Sequence, residues 1–168
     1  MFLQLCTVIL VLSGLGKAHV DPDINLALQG RPTQSSLDSY LGNAINAVDG
    51  NPSTNCNLGS CSITTAEQEP WWRLDLLRSF RVVTVSVTNR MDCCTETLNE
   101  AVILIGDSLE NNGKSNARCG VVRSIGPGET QHFACNGMPG RYVTVVIPDR
   151  YASLALAEVT VFGSEHYH

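Results

Sequence analysis

The segment "FRVVTVSVTNR", residues 80–90, decides the fold. Its apolar and hydroxyl side chains alternate. Val83, Val85 and Val87 fall on one side of a two-residue repeat, and Val82, Thr84, Ser86 and Thr88 fall on the other. That period is the requirement of a half-buried β-strand, and β-branched residues suit it. Similar stretches lie on either side: "WWRLDLL" (71–77), "AVILIG" (101–106), "RYVTVVI" (141–147) and "LALAEVTVFG" (154–163) each predict a strand. Gly, Pro and Asn place joints at "NNG" (111–113), "GPG" (126–128), "MPG" (138–140) and "IPD" (147–149). Only "LGNAINAVDG" (41–50) suggests a helix, cut short by Gly50 and Pro52. The polar tail "GSEHYH" (163–168) is expected to fray. Many short strands between turn signals predict an all-β sandwich or jelly roll.

A chain of 168 residues suggests one domain. It opens on "MFLQLCTVILVLSGLG", an apolar run ending in small residues and followed by a cleavage-like "GKA" at 16–18. Residues 1–18 read as a secretory signal peptide and 19–168 as the mature domain. The run is too short for a spanning helix, which needs about 20 apolar residues. No later stretch is apolar enough to insert in a membrane. Loss of Lys17 with the leader takes the formal charge from −5 to −6. An acidic surface argues against nucleic acid or anionic lipid as partner.

Cleavage also removes Cys6 and leaves six cysteines: Cys56, Cys61, Cys93, Cys94, Cys119 and Cys135. The even number fits an oxidising compartment and three disulfides, in any of 15 pairings. Cys-x-x-Cys spacing, which zinc would favour, is absent. Three of the four histidines, His19, His166 and His168, sit at the ends of the mature chain. No nucleophile elbow, zinc-protease helix or phosphate loop is present. The residues therefore point to a binding protein, not an enzyme. One loop, "NAVDGNPSTNCNLGSC" (46–61), concentrates Asn46, Asp49, Asn51 and Ser60. Oxygen-bearing side chains and turned carbonyls are what calcium takes, and they are also ordinary turn chemistry.

Taken in order, "NLALQGRPTQSS", "NAVDGN", "GSC", "PWWRLDLL", "TNRMDCC", "GRYVTVVIP" and "LALAEV" make the chain similar to the F-type lectins, the fucolectins of fish. The resemblance runs from Asn25 to Phe162 and implies a discoidin-like β-sandwich. It also implies a structural calcium ion held by the carbonyls of Asn46, Asn51 and Ala157 with Asp49, Ser60 and Glu158. Disulfides Cys93–Cys94 and Cys119–Cys135 follow from it too. The family's third bridge joins the cysteine of "GSC", here Cys61, to a position that reads Ala157. A relocated bridge, Cys56–Cys61, is expected in its place.

The resemblance places a sugar site at Arg90, Asp92 and the vicinal Cys93–Cys94 pair. The arginine fork reads two sugar oxygens, the aspartate holds it, and the disulfide offers a flat face. Two members of the family's clamp are missing. Ile63 stands at the histidine position, and Thr97 stands at the second basic position as a weaker hydroxyl donor. Two lost charged hydrogen bonds cost on the order of 3 kcal/mol, about a hundredfold in affinity. The expectation is thus a secreted, calcium-containing, fucolectin-like protein of innate glycan recognition with altered or weakened fucose specificity. Its partners would be glycans, fucosylated ones first, and avidity would come from a homo-oligomer, a trimer by resemblance. The alternative is a lectin-derived scaffold that has lost sugar binding and contacts proteins.

Overall fold

The computed structural model describes residues 24–165. The expected leader, Cys6, His19, His166 and His168 lie outside them. Ten strands run in chain order: β1 (Arg31–Gln34), β2 (Ser62–Ile63), β3 (Glu67–Gln68), β4 (Trp71–Thr88), β5 (Val102–Gly106), β6 (Ala117–Val121), β7 (Thr130–Val146), β8 (Tyr151–Ala152), β9 (Ala155–Leu156) and β10 (Glu158–Glu165). All pairings are antiparallel. The main sheet is ordered β1-β4-β7-β5-β6, with β10 also on β4. Two short ladders, β2–β9 and β3–β8, tie the connecting loops together. The chain is an all-β, discoidin-like sandwich.

The predicted strands at 71–77 and 80–90 are one continuous strand, β4, of 18 residues. It deforms where Leu77 takes φ 70°, and its register on β7 shifts between Asp75 and Phe80. The first half pairs with β1 and the second with β10, so one strand serves both ends of the sheet. A second irregularity, between Val82 and Thr84, breaks the simple alternation. There β7 spends extra residues, with Asn136 and Gly137 at positive φ. As a result Val82 is buried while Val83 is 48% exposed, the reverse of the sequence expectation. Val85 and Val87 remain in the core as expected.

Four further expectations are corrected. "MPG" is not a joint: Met138, Pro139 and Gly140 pair with Val82, Arg81 and Phe80 inside β7. The stretch 154–163 is two strands, interrupted at Ala157, whose N–H turns to Thr88 O at 3.0 Å. Of the tail, Gly163–Glu165 stay in β10, where backbone pairing with β4 outweighs their polar composition. The helical expectation for 41–50 reduces to a 3₁₀ turn, Ala44–Val48, capped by Asn43. That turn is fastened to the sheet by Trp72, fully buried, whose indole N–H donates to Ala44 O at 3.0 Å. Cys119 and Cys135 are bridged between β6 and β7, with Cα atoms 5.0 Å apart.

Gly140 explains why a glycine is needed inside a strand. A Cβ there would lie 2.5 Å from Gly106 N and 2.7 Å from Ile105 Cγ2. Backbone cannot yield as a flexible side chain can. Gly140→Ala is expected to cost about 1–3 kcal/mol, the usual penalty of overpacking, read as a lower denaturation midpoint in urea. An unchanged midpoint would show that β5 and β7 can separate freely.

Candidate functional site

At its C-terminal end β4 releases Asn89, which is 1% exposed. A buried amide must find partners. Its Nδ2 donates to Thr95 O at 3.0 Å and Ile125 O at 2.8 Å, and its Oδ1 accepts from Arg90 N at 2.9 Å. On the far side of the same loop, Arg150 Nη2 donates to Thr97 O at 2.6 Å and Asn99 O at 2.9 Å. Residues 90–99 are therefore pinned at both ends before any ligand arrives.

Arg90 and Asp92 meet in a two-point contact, Nε to Oδ1 at 3.1 Å and Nη2 to Oδ2. Their side chains are only 12% and 7% exposed, so the pair differs from exposed surface ion pairs, which are worth little. Asp92 Oδ1 also accepts the backbone N–H of Cys56 at 3.2 Å. The Arg90 hydrogen bond, aided by the Cys56 amide and opposed by burial, holds the Asp92 carboxyl below its ordinary range. The loop bearing Cys56 is fixed in turn: Met91 N donates to Thr54 O at 2.9 Å, and Ser60 Oγ to Asn55 O at 2.9 Å. Cys56 and Cys61 form a disulfide with Cα atoms 5.0 Å apart. Cys93 and Cys94 form the vicinal one. Cys94 has φ 57°, in the left-handed region.

Ile63, Arg90, Cys94 and Thr97 come together along one open cleft of about 370 Å³. Asp38, Ser39, Leu41, Asn57, Ser153 and Ala155 complete its lining beside Cys56. Asp92 lies behind Arg90 and orients it. The sequence reading of Thr97 as a donor is corrected: its Oγ1 donates to Cys94 O at 2.9 Å, so its lone pairs are what remain for a ligand. Asp38, Asn57 and Ser153 carried no sequence signal, because only the fold brings their loops together.

Hydrogen bonds gather part of the set expected to hold calcium. Asp49, Gly50, Asn51 and Glu158 meet: Gly50 N donates to Glu158 Oε1 at 3.2 Å and Asn51 N to Asp49 Oδ1 at 2.8 Å. Glu158 Oε2 is buried without a hydrogen-bond partner. Burial first, then the charge of Asp49, push the Glu158 carboxyl up to about 7, against the pull of the Gly50 amide. An orphaned carboxylate oxygen beside a second carboxylate suits a hard cation. Ser60 Oγ donates to Asn55 O at 2.9 Å, and the Asn46 side chain donates to Leu41 O at 2.7 Å and Cys61 O at 3.1 Å, bonds that do not involve the Asn46 carbonyl expected to serve as ligand. Among the described residues no three His, Cys, Asp or Glu side chains gather, so an ion here would need carbonyl and hydroxyl oxygens as well. His132 lies elsewhere, against Ser86 Oγ at 2.7 Å on the outer sheet face. Among the described residues no helix is long and apolar enough to cross a membrane.

A pinned loop beside an open cleft on a discoidin-like sandwich defines the class of ligand-binding jelly rolls. Residues 46–145 match the family described as a NedA-like, galactose-binding domain. Fucolectin-4 of Anguilla japonica is 48% identical over 155 residues, covering 87% of this chain and 85% of that one. The solved f-lectin (fucolectin) from the serum of striped bass, Morone saxatilis, is 51% identical with a TM-score of 0.82. That match covers 84% of this chain but only 48% of the bass chain, about half its length. A fucose binding module of Streptococcus pneumoniae is 34% identical, with a TM-score of 0.74 over 83% of this chain and 95% of that one. The chain belongs to the F-type lectin (fucolectin) family.

The Arg90–Asp92 pair generates a pH test. Because the folded carboxyl sits below its unfolded value of about 3.9, its contribution to stability is present above that value. It is lost as pH falls through the lowered folded value. Asp92→Asn should therefore flatten the acid limb of stability against pH in denaturant titrations. An acid limb identical to that of the parent would mean that the pair is not formed.

Proposed function

We propose that this chain is a secreted, calcium-stabilised lectin that binds glycans in the Arg90 cleft with altered fucose specificity. The observation that carries the reading is that the fold brings Ile63, from a distant part of the chain, to the Arg90, Cys94 and Thr97 motif along a single cleft. The names of the relatives, fucolectins and a fucose binding module, indicate the ligand class. Arg90 keeps guanidinium N–H groups beyond those given to Asp92, and these meet sugar hydroxyls. The exposed vicinal disulfide packs against the ring. With Ile63 and Thr97 in place of two cationic donors, the affinity for free fucose falls about a hundredfold relative to a complete clamp. Several domains acting together, as in a homotrimer, restore avidity on a dense glycan surface. Recognition of microbial glycans in innate defence fits such a secreted binder.

A second reading is a scaffold for protein contact. Its support is an apolar rim on the loops that frame the cleft: Leu37 is 49% exposed, Tyr40 87%, Leu58 74% and Met91 57%. A glycan array separates the two. Binding to any fucosylated glycan, lost in Arg90→Ala, supports the lectin; silence across the array supports the scaffold.

Calcium enters through Asp49 and Glu158, aided by neighbouring carbonyls, and supplies the charge that the orphaned Glu158 oxygen lacks. Binding only the folded state at a hundredfold excess over Kd adds about 2.7 kcal/mol. The expected result is a melting temperature several degrees higher with calcium, and no rise in Glu158→Gln. A thermal scan indifferent to both calcium and chelator would contradict the calcium site.

A further inference from the structure

The wall of the cleft opposite to expectation is the one built around Ile63. The backbone N–H of Asp38 donates to Ile63 O at 3.1 Å, which seats Asp38 beside the position where the family resemblance expects a histidine donor. Ala155 pairs with Ile63 across the β2–β9 ladder. Ser153 Oγ donates to Thr64 O at 2.6 Å, so its hydrogen is spent. This wall is a floor of methyl and methylene groups edged by oxygen lone pairs. The charge of the lining points the same way. Asp92 is paired with Arg90, whereas the exposed Asp38 carboxylate forms no salt bridge among the described residues. The lining sets this unpaired carboxylate in the same cleft as an apolar surface formed by Leu41, Ile63 and Ala155, while the Arg150 guanidinium is engaged by Thr97 O and Asn99 O.

We propose that the cleft selects a 6-deoxy amino sugar, whose ammonium pairs with Asp38 while its methyl group rests on Ile63 and its hydroxyls take Arg90. The proposal rests on the lectin reading and specifies its ligand. It accounts for both departures from the family clamp at once. Ile63 removes a donor that would repel an ammonium, and Thr97, its hydrogen given to Cys94 O, adds another acceptor. Neutral 6-deoxy sugars gain the Arg90 and Ile63 contacts without the ion pair, and anionic sugars meet repulsion from Asp38.

The test is calorimetric titration of the mature chain, with calcium, at pH 7. The probes are fucose, fucosamine, its N-acetyl derivative and 4-amino-4,6-dideoxygalactose. An exposed ion pair supports a preference of about fivefold, so at least one free amine should bind about fivefold tighter than fucose. N-acetylation of fucosamine should erase any advantage of its amine, and raised salt should shrink any such preference. Asp38→Asn should bring the ratio of amino to neutral sugar to about one. Fucose binding without any amine preference overturns this proposal and leaves the lectin reading intact. Silence toward all four sugars overturns this proposal, and the lectin reading falls only with silence across the glycan array as well.

Discussion

The antiparallel pairing of β4 with β7 is the constraint from which the remaining structure follows. These are the longest strands, and their ladder runs from Trp71 opposite Val146 to Thr88 opposite Thr130. Such long strands cannot lie flat, because twist accumulates along them. The chain relieves it at the irregularities around Leu77 and Val83. At one end β4 accepts β1, and at the other β10, so the core closes over both. The same ladder ends at Asn89, whose buried amide must be satisfied and therefore fixes the backbone of the next loop. The position of Arg90 is thus set by the sheet and not by the ligand.

A second dependence links the two halves of the functional region. Residues 46–61 form one short segment with two duties. Asp49 and the Gly50 amide face Glu158, while Thr54 O and the Cys56 amide hold the loop of Met91 and Asp92. The Cys56–Cys61 bridge lies within this segment and fixes its end at Cys56. Under the proposed calcium site, order imposed by a cation at Asp49 would pass, through a few residues of backbone, to the carboxylate that orients Arg90. This bridge closes a small loop, so its effect on global stability is modest compared with a long-range link. Its local effect is on the geometry of Asp92.

The strands were legible because alternation is a local property, and Val85, Val87 and the 101–106 segment keep it. The inversion of Val82 and Val83 was not legible, since it depends on extra residues placed in β7, some fifty positions away. "MPG" reads as a turn locally, yet pairing with Phe80, Arg81 and Val82 overrides that signal. The site divides along the same line. Arg90, Asp92 and the cysteine pair form one short motif, and the motif is specific. Asp38, Asn57, Asn89, Arg150 and Ser153 act only through contacts made by the finished fold, and their residue types are unremarkable in loops. The burial of the Arg90–Asp92 pair belongs to that second group. Two charges two residues apart look like solvated surface until the Cys56 loop covers them.

Under the proposed lectin function, the pinned Arg90 loop and the Ile63 wall receive a sugar between them. The most direct measurement is a heteronuclear NMR titration of the isotope-labelled mature protein with a fucoside, in the presence of calcium. The account predicts saturable shifts of the backbone amides of Ile63, Arg90, Cys94 and Thr97, lost together in Arg90→Ala. Shifts confined to the outer sheet groove around Val83 and Phe162, or no shifts at millimolar sugar, would contradict it.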